Sequence, residues 1–405
     1  MVEVPAGVIP VRDLTTREIL YGARTTSHRY ELLEHDPLTG ADSLIGFLDG
    51  VEPGGSLSWS SGTRVKKSGN LEVLDIPVAA AGLVRVGDIG LVTTRIRPVL
   101  VVEGLPELPL GVYVVTASPE AWSDTGRTFQ LELHEKSTVL DQDAVEESFT
   151  ADAVTPVLDV VKAVVESAGE RISVDGSDTR TLTSPLVWDA GTSKLSIVND
   201  LLSALNYNSL WMDGEGAFRA TPYERPASRS IRYAMLNDED GNRLVRELIH
   251  GDESIYSPEW NRDRDTYGVP NKVVAVQSGT GEGEPLSGSA MNENPESPFS
   301  YQTRGRWIVR PLGGVEVPDY SGEVDPIAAT EAFLDAKALQ SLIASSAVQA
   351  AVSVKCLPIP VELLEAVRFE STPAGIDARH TVRSVDLSLT FDGLMSLELQ
   401  EVIDL

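Results

Sequence analysis

The spacing of hydrophobic residues divides the chain into a β-rich beginning, a short region with helical spacing and a second β-rich region. Over residues 25–140, short apolar runs such as Val99–Glu103 are separated by Gly and Pro turns. In Thr128–His134, apolar and polar residues alternate, which is typical of a half-buried strand. Its apolar members are Phe129, Leu131 and Leu133. The pattern predicts a first β-barrel domain over 25–140, preceded by an N-terminal arm, 1–24.

Residues 141–227 have the pattern of a small α/β insertion domain. An acidic connector, 141–152, carries five carboxylates and no basic residue. Apolar residues then recur at helical spacing after Pro156, which is a favourable residue at a helix start. A second helix is predicted to begin near Ser193, and a hairpin with its turn at Asp213 closes the region.

The β pattern returns over 228–405 and predicts a second β-barrel domain. Residues 279–300 are rich in Gly, Pro and Ser and have no basic residue, which predicts a mobile loop. Residues 325–346 predict a helix capped by Asp325. The last alternating segments flank Asp392-Gly393, which predicts a hairpin with a two-residue turn. In that hairpin Leu397 and Leu399 share one face.

Two short strands resemble each other and suggest an internal repeat. Leu131–Glu135 reads Leu-Glu-Leu-His-Glu, and Leu397–Glu401 reads Leu-Glu-Leu-Gln-Glu. Chance similarity of amphipathic strands is one explanation, and duplication is the other; the position of each strand at the end of a β region favours duplication. The predicted fold class is therefore α+β, mainly β, with two related antiparallel β-barrel domains flanking a small α/β insertion. The suspected docking strands contain Phe129, Leu131, Glu132, Leu133, Leu397, Glu398 and Leu399.

The charge of the chain excludes several classes of partner. Its 405 residues include 61 acidic and 33 basic side chains, a net charge of −28. Proteins that bind nucleic-acid phosphates or anionic membranes need a positively charged surface, which an acidic chain does not favour. Cys356 is the single cysteine, so there is no intrachain disulfide. No run approaches about 20 apolar residues, and the first residues lack a signal-peptide pattern, so we expect no membrane anchor.

A search for chemistry finds no enzyme signature. The five histidines show no metal-ligand spacing, and no Gly-x-Ser-x-Gly elbow is present. The acidic run at Asn237–Asn242 lacks the register of a calcium loop. We therefore predict that the chain is not an enzyme and has no catalytic residue, no metal ligand and no cofactor.

The run Phe129–Asp141, continued through Phe149 and Thr150 to the helix at Pro156, resembles minor tail proteins of phages that infect actinobacteria. The order of the regions is similar to the tail-hub, or baseplate-hub, family. This resemblance implies a structural virion protein of a siphovirus, made in the host cytoplasm and located at the tail tip. It implies a homotrimer that joins the six-fold tail tube to the three-fold tip and lines the channel for genome ejection.

The same resemblance implies the partners. They are the tail tube or a distal tail protein, the tape-measure protein and other tail-tip proteins, with DNA only in transit and not bound specifically. Other functions stay open: a carbohydrate-binding adhesin or receptor-binding tail protein, a cell-wall hydrolase, or a distal tail protein in rings of six. Exposed Trp122 and Trp260 beside polar groups would favour the adhesin.

Overall fold

The structure is a computed structural model. It describes residues 26–75, 82–102, 106–124, 126–238, 241–245, 252–254, 256–263, 268–279, 284–347 and 351–402. The predicted N-terminal arm, 1–24, lies outside these residues. Strands far outnumber helices, which confirms an α+β, mainly β, fold.

The first β region holds ten strands among the described residues. They are β1 Thr26–Asp36, β2 Ala41–Leu48, β3 Ser56–Ser60, β4 Lys67–Asp75, β5 Leu83–Val84, β6 Thr94–Val102, β7 Leu108–Pro109, β8 Tyr113–Ala117, β9 Glu120–Ser123 and β10 Gly126–Glu135. A 3-10 turn, Val86–Asp88, separates β5 from β6. The predicted alternation is present in β10, where Leu131 and Leu133 are fully buried and Glu132 is exposed.

The middle region contains three helices and five short strands. They are α1 Ser137–Gln142, β11 Phe149–Ala151, α2 Val157–Ser167, β12 Ile172–Val174, β13 Leu186–Trp188, α3 Lys194–Ala204, β14 Trp211–Met212 and β15 Phe218–Ala220. Both predicted helices are confirmed. α2 follows Pro156 directly, and Ser193 caps α3 because its Oγ accepts the Ser196 N–H at 3.2 Å. β14 and β15 form the predicted hairpin.

A 3-10 turn, Pro226–Ser228, leads into the second β region. The region begins with β16 Ile231–Asp238, β17 Gly241–Val245, β18 Asp252–Ser254 and β19 Tyr256–Asp263. An inserted unit follows, made of β20 Lys272–Gln277, β21 Ser287–Met291, α4 Tyr301–Arg304, β22 Val309–Val315 and α5 Pro326–Ala347. The region ends with β23 Ala351–Cys356, β24 Ala366–Ser371, β25 Ile376–Ser388 and β26 Met395–Glu401.

The strands of the first β region pair in an order that returns to its starting segment. The region belongs to an 18-stranded hydrogen-bonded sheet that also includes the second β region. Pairing runs from β2 through β1, β6, β8 and β10 to β4, and every step is antiparallel. Val51, which follows β2 in the chain, then bridges to Val73 in β4.

The second β region repeats this order with one additional strand. Pairing runs from β18 through β17, β16, β24, β25, β26 and β23 to β19, which follows β18 after residue 255. The extra strand, β17, reverses the chain once more, so β16 and β24 pair in parallel. The expectation of purely antiparallel domains is wrong at this pair and at the short β2–β5 pair.

The strand β3 joins the two β regions. It pairs with β4 on one side and with Ser384–Ser388 of β25 on the other. Leu57 of β3 is fully buried, and Trp59 Nε1 donates a hydrogen bond to Tyr113 Oη at 3.1 Å. The buried side chains of both regions consequently form one contiguous apolar core.

The inserted unit corrects the prediction of a single β domain over 228–405. β20, β21 and β22 form a separate three-stranded sheet, and α5 packs against it over its own apolar core. α5 confirms the predicted helix, since Asp325 Oδ1 accepts the Ala328 N–H at 3.1 Å. The sequence does not distinguish this unit from the rest of the second β region, because the apolar pattern of β20 is the same as that of any buried strand.

Residues 284–300 contain the strand β21 and a hydrogen-bonded turn, although their composition predicted a loop; the mobility of that loop stays a prediction. β21 pairs with β20, and small polar residues close the turn that follows. Asn292 and Ser297 are buried, and Asn292 Nδ2 donates to Ser297 Oγ at 2.9 Å. Hydrogen bonds between buried polar groups thus add to the apolar contacts of Leu286 and Ala290 with the core of the inserted unit. Residues 280–283 lie outside the described residues.

The final hairpin is present, but its turn is longer than predicted. The last pair of β25 and β26 joins Leu387 to Met395, so a two-residue turn at Asp392-Gly393 is wrong. Gly393 N–H instead donates to Thr390 O at 3.0 Å, which closes a four-residue turn. Phe391 lies in this turn and is 75% exposed rather than part of the strand.

A buried ionic cluster holds the middle region against the first β region. Arg95 Nη1 lies 2.9 Å from Asp42 Oδ1, and Lys136 Nζ lies 3.2 Å from Glu170 Oε2 and 3.3 Å from Asp42 Oδ2. Arg95 also donates to Glu170, which is almost fully buried. Burial alone would raise the pKa of Asp42, but Lys136, Arg95 and His35 hold it below its ordinary value. Each buried charge therefore has an opposite partner.

Replacing one member of this cluster should leave buried charge without a partner. We expect Glu170→Gln to lower the free energy of unfolding by about 3 kcal/mol, because Arg95 and Lys136 then share one carboxylate. Urea unfolding followed by circular dichroism measures the loss. Glu215→Gln is the control, since its pair with Arg97 is exposed and should contribute less than about 1 kcal/mol. Equal losses in the two variants would contradict the role of the cluster.

The close approach of β3 and β4 gives a second prediction. A Cβ atom added at Gly69 would lie 2.5 Å from Leu57 Cδ2 and 2.6 Å from Ser56 O, which is main chain. We expect Gly69→Ala to cost about 2 kcal/mol of unfolding free energy. Gly62→Ala, where the nearest atom is Ser60 Oγ at 3.8 Å, should change stability little. A well-tolerated alanine at Gly69 would refute the tight contact.

Candidate assembly surface

The two suspected docking strands occupy matching places in the two β regions. β10 lies between β4 and the β8–β9 arm, and β26 lies between β23 and β25. Leu131 faces Leu71 of β4, and Leu397 faces Val354 of β23, all of them buried. The apolar docking residues lie in the shared core, and Glu132 and Glu398 lie on the outward faces. The buried residues are Phe129, Leu131, Leu133, Leu397 and Leu399.

A β-bulge occurs at the same place beside each docking strand. Glu132 pairs with Ala117 while Leu133 pairs with Val115, so Thr116 is an extra residue. In the second region Glu398 pairs with Ser384 while Leu399 pairs with Val382, so Arg383 is the extra residue. Bulges are specific local features of a ladder, and a shared position is not dictated by the alternating pattern.

This match sets the two strands in register, residue by residue. Phe129–Glu135 aligns with Met395–Glu401, and four of the seven positions are identical. Those positions hold the Leu-Glu-Leu run and the Glu that ends each strand. The sequence similarity and the pairing register are independent observations that indicate the same alignment.

The main-chain edges of both docking strands are already occupied. β10 is paired with β4 on one edge and with β8 and β9 on the other, and Gln130 N–H donates to Pro119 O at 2.8 Å between them. β26 is paired with β23 and β25 along its length. Neither strand has an edge free to add a strand from another chain. What they offer to a neighbour is their outward side chains.

The tryptophans that bear on the adhesin hypothesis differ in environment. Trp122 is 74% exposed on β9, with the Arg127 guanidinium 5.4 Å from its ring centroid. Trp260 is half-buried and packs edge-on against Phe369, with a centroid distance of 5.2 Å. Trp122 alone has the exposure that sugar stacking requires.

A cavity of about 500 Å³ lies where both β regions meet the middle region. Lys66 Nζ donates to Ser209 Oγ at 3.0 Å, Lys67 Nζ lies 3.4 Å from Glu362, and Arg232 donates to Glu365. Burial raises the pKa of Glu365, and Arg232 opposes that rise. The charged side chains here pair mostly with one another, and the lining contains neither His nor Cys.

The described ranges contain no group of three or more His, Cys, Asp or Glu side chains that could hold a metal ion. Within the same ranges, no helix combines the length and apolar character needed to span a bilayer.

Comparison with solved structures identifies the fold. The chain is similar to a tail protein from Neisseria meningitidis MC58, with a TM-score of 0.57, 12% identity, and coverage of 93% of this chain and 97% of that one. It is also similar to the 43 kDa tail protein of prophage MuSo2 from Shewanella oneidensis, with a TM-score of 0.55, 12% identity, and coverage of 92% and 98%. No protein-family model and no curated protein matches the chain.

A third structure, prophage tail protein gp18 from Listeria monocytogenes EGD-e, matches with a TM-score of 0.50, 12% identity, and coverage of 91% and 94%. The matches extend over nearly the whole of each chain. This chain therefore has the fold of these phage tail proteins, as the resemblance implied. The link to phages of actinobacteria stays a prediction.

Proposed function

We propose that this chain is the tail-tip, or baseplate, hub of a phage: a homotrimer in the virion that joins a six-fold tail tube to a three-fold tip. The shared fold with phage tail proteins supports a structural role at the tail tip. The observation that carries the hub assignment is the duplication, seen in the common strand order and the matched bulges at Thr116 and Arg383. Three copies of a chain with two like domains present six like surfaces, which suits a six-fold tube.

In this proposal each β region closes into a barrel. The pairing order of the first region has six strand segments, and a closed ring with an even number of strands can be antiparallel throughout. The second has seven segments once β18 and β19 are taken as one strand. A ring with an odd number of strands must contain one parallel pair, and β16–β24 is such a pair. Residue 255, where β18 meets β19, lies outside the described residues.

The proposed partners follow from the position at the tail tip. They are the tail tube or a distal tail protein, the tape-measure protein, other tail-tip proteins, and DNA in transit during ejection. The net charge of −28 suits a channel wall that repels phosphates rather than holding them. The outward faces of β10 and β26, with Glu132 and Glu398, are the proposed ring-lining surfaces.

The number of copies in the native particle tests the hub function. Cryo-electron microscopy of the tail tip should show three copies of this chain in one ring, with both β regions contacting the same component of the tube. Six copies in a ring would identify a distal tail protein instead. Any other stoichiometry would contradict the proposed adaptor.

Reversing the charge of the proposed lining should change DNA passage without unfolding the protein. We expect Glu132→Lys with Glu398→Lys to alter unfolding free energy by less than about 1 kcal/mol, because both residues face outward. Particles with this variant should eject DNA more slowly, since lysines in the channel bind phosphates. Glu146→Lys with Glu147→Lys is the matched control, as both residues lie exposed on the connector. Equal ejection rates in the two variants would refute the channel position.

We also expect no hydrolytic activity on peptidoglycan or glycans, because Glu362 and Glu365 of the cavity are paired with Lys67 and Arg232 and no nucleophile–base spacing is found in the sequence. A zymogram on actinobacterial cell wall checks this. Clearing that a single substitution abolishes would overturn it.

Trp122 supports a second candidate function, carbohydrate binding at the tail tip. Its exposed ring beside Arg127 could stack on a sugar. Glycan-array binding by the purified chain that Trp122→Ala removes would establish this function, and a blank array would exclude it for the glycans tested.

A further inference from the structure

One stretch of this acidic chain carries the opposite charge. From Ser297 to Val315 the sequence has three arginines and no Asp or Glu, although acidic residues outnumber basic ones almost two to one in the whole chain. The stretch belongs to the inserted unit and contains α4 and β22. A local reversal of charge on an acidic protein points to contact with an acidic surface.

Exposed side chains of this stretch lie beside one row of paired residues in the three-stranded sheet. Met291 and Val309 pair with Lys272 on either side. Lys272 Nζ lies 5.7 Å from the ring centroid of Trp307, which stacks on Tyr301 with a centroid distance of 4.5 Å. α5 covers the opposite face of the sheet. The basic-aromatic patch consists of Lys272, Tyr301, Arg304, Arg306, Trp307 and Val309.

The patch is unusual in being both apolar and positively charged. Its large apolar side chains, Tyr301, Trp307 and Val309, are each between 38% and 53% exposed. Among the described residues, no carboxylate lies within 4 Å of Lys272 or Arg306. Burial, together with the nearby charge of Arg306, lowers the pKa of Arg304. Lys272 and Arg306 thus supply positive charge that no carboxylate of the described residues pairs with.

A complementary surface lies in the same unit, at the beginning of α5. Val324 is fully exposed and Ile327 is 59% exposed, and acidic residues surround them in the sequence. No basic side chain of the described residues lies within 4 Å of the carboxylates of Glu323, Asp325 or Glu331. The acidic-apolar patch consists of Glu323, Val324, Asp325, Ile327 and Glu331.

We propose that the basic-aromatic patch of one copy docks on the acidic-apolar patch of the next copy of this chain. The proposal deepens the hub function and rests on its homotrimer, since it assigns the surfaces through which the copies meet. The basic-aromatic patch is on the sheet face that α5 does not cover, and the acidic-apolar patch is at the beginning of α5, so each copy can donate one and accept the other. Such a head-to-tail contact forms a closed ring when its rotation closes.

The composition of the patch favours a protein partner over nucleic acid. Protein interfaces are enriched in Trp, Tyr, Met and Arg, and exposed Val309 and Met291 offer an apolar area that phosphates do not need. A second copy supplies both apolar side chains and negative charge at a matching surface. Contact between opposite charges should also make association sensitive to salt.

Sedimentation velocity of the full chain over a concentration series tests the proposal. We expect Trp307→Ser to raise the dissociation constant at least tenfold, because a central tryptophan commonly dominates an interface. Arg306→Glu and Glu323→Arg should each weaken association, and their combination in one chain should restore part of it. Raising the salt concentration should weaken the wild type more than the Arg306→Glu variant.

Matched controls separate docking from general effects. Trp122→Ser removes another exposed tryptophan, and Lys162→Glu makes the same charge change as Arg306→Glu on the exposed side of α2. Both should associate like the wild type. Circular dichroism spectra confirm that every variant is folded, and an unfolded Trp307→Ser leaves the charge-reversal pair as the deciding measurement.

The possible outcomes distinguish this inference from the hub function. A trimer that all patch variants leave intact would overturn the proposed surfaces and leave the hub function standing. A wild type that stays monomeric at every concentration would count against both the surfaces and the homotrimer. Retention on DNA that Arg306→Glu abolishes, with the trimer unchanged, would assign the patch to nucleic acid instead.

Discussion

The whole arrangement depends on β3, a five-residue strand hydrogen-bonded to both β regions. Its main chain is paired on both edges, and Ser58 Oγ donates to Asp386 Oδ1 at 2.6 Å across the joint. Leu57 lies over Gly69, where no side chain intervenes, and enters the core shared by both regions. A hinge between the regions would have to break this ladder and expose that core. The two β regions therefore keep one relative orientation, which the proposed adaptor between two symmetries requires.

The matched bulges explain how two diverged regions can present the same face. Removing one residue from a strand moves its remaining side chains to the opposite face of the sheet. The extra residue at Thr116 and at Arg383 sets the register beside Glu132 and Glu398 in the same way. Thr116 Oγ1 lies 2.9 Å from His134 Nδ1, and Arg383 Nε lies 4.0 Å from Glu398, so each bulged side chain reaches the docking strand.

Local signals in the sequence predict many of the elements, although not the strand β21, and they do not predict how the strands pair. Alternation predicts the buried face of β10, and Pro156 and Asp325 mark helix starts, because these signals act within a few residues. β3 pairs with a strand more than 300 residues away, and no local pattern specifies such a pairing. The bulges at Thr116 and Arg383 are equally hard to predict, since the extra residue interrupts the alternation within a single strand. The similarity between the two β regions is detectable in the sequence only at the Leu-Glu-Leu runs of β10 and β26.

Charge imposes the last constraint on assembly. Copies of a chain with a net charge of −28 repel one another, and this repulsion grows when they are held in a ring. In the proposed hub, an acidic channel wall benefits from that charge, whereas the contacts between copies must overcome it. The proposal assigns the two requirements to different places: carboxylates such as Glu132 face outward on the β regions, and Lys272 and Arg306, which no carboxylate of the described residues pairs with, belong to the inserted unit. An insertion is a suitable place for such a contact, because its own sheet and core allow its surface to change without disturbing the duplicated regions.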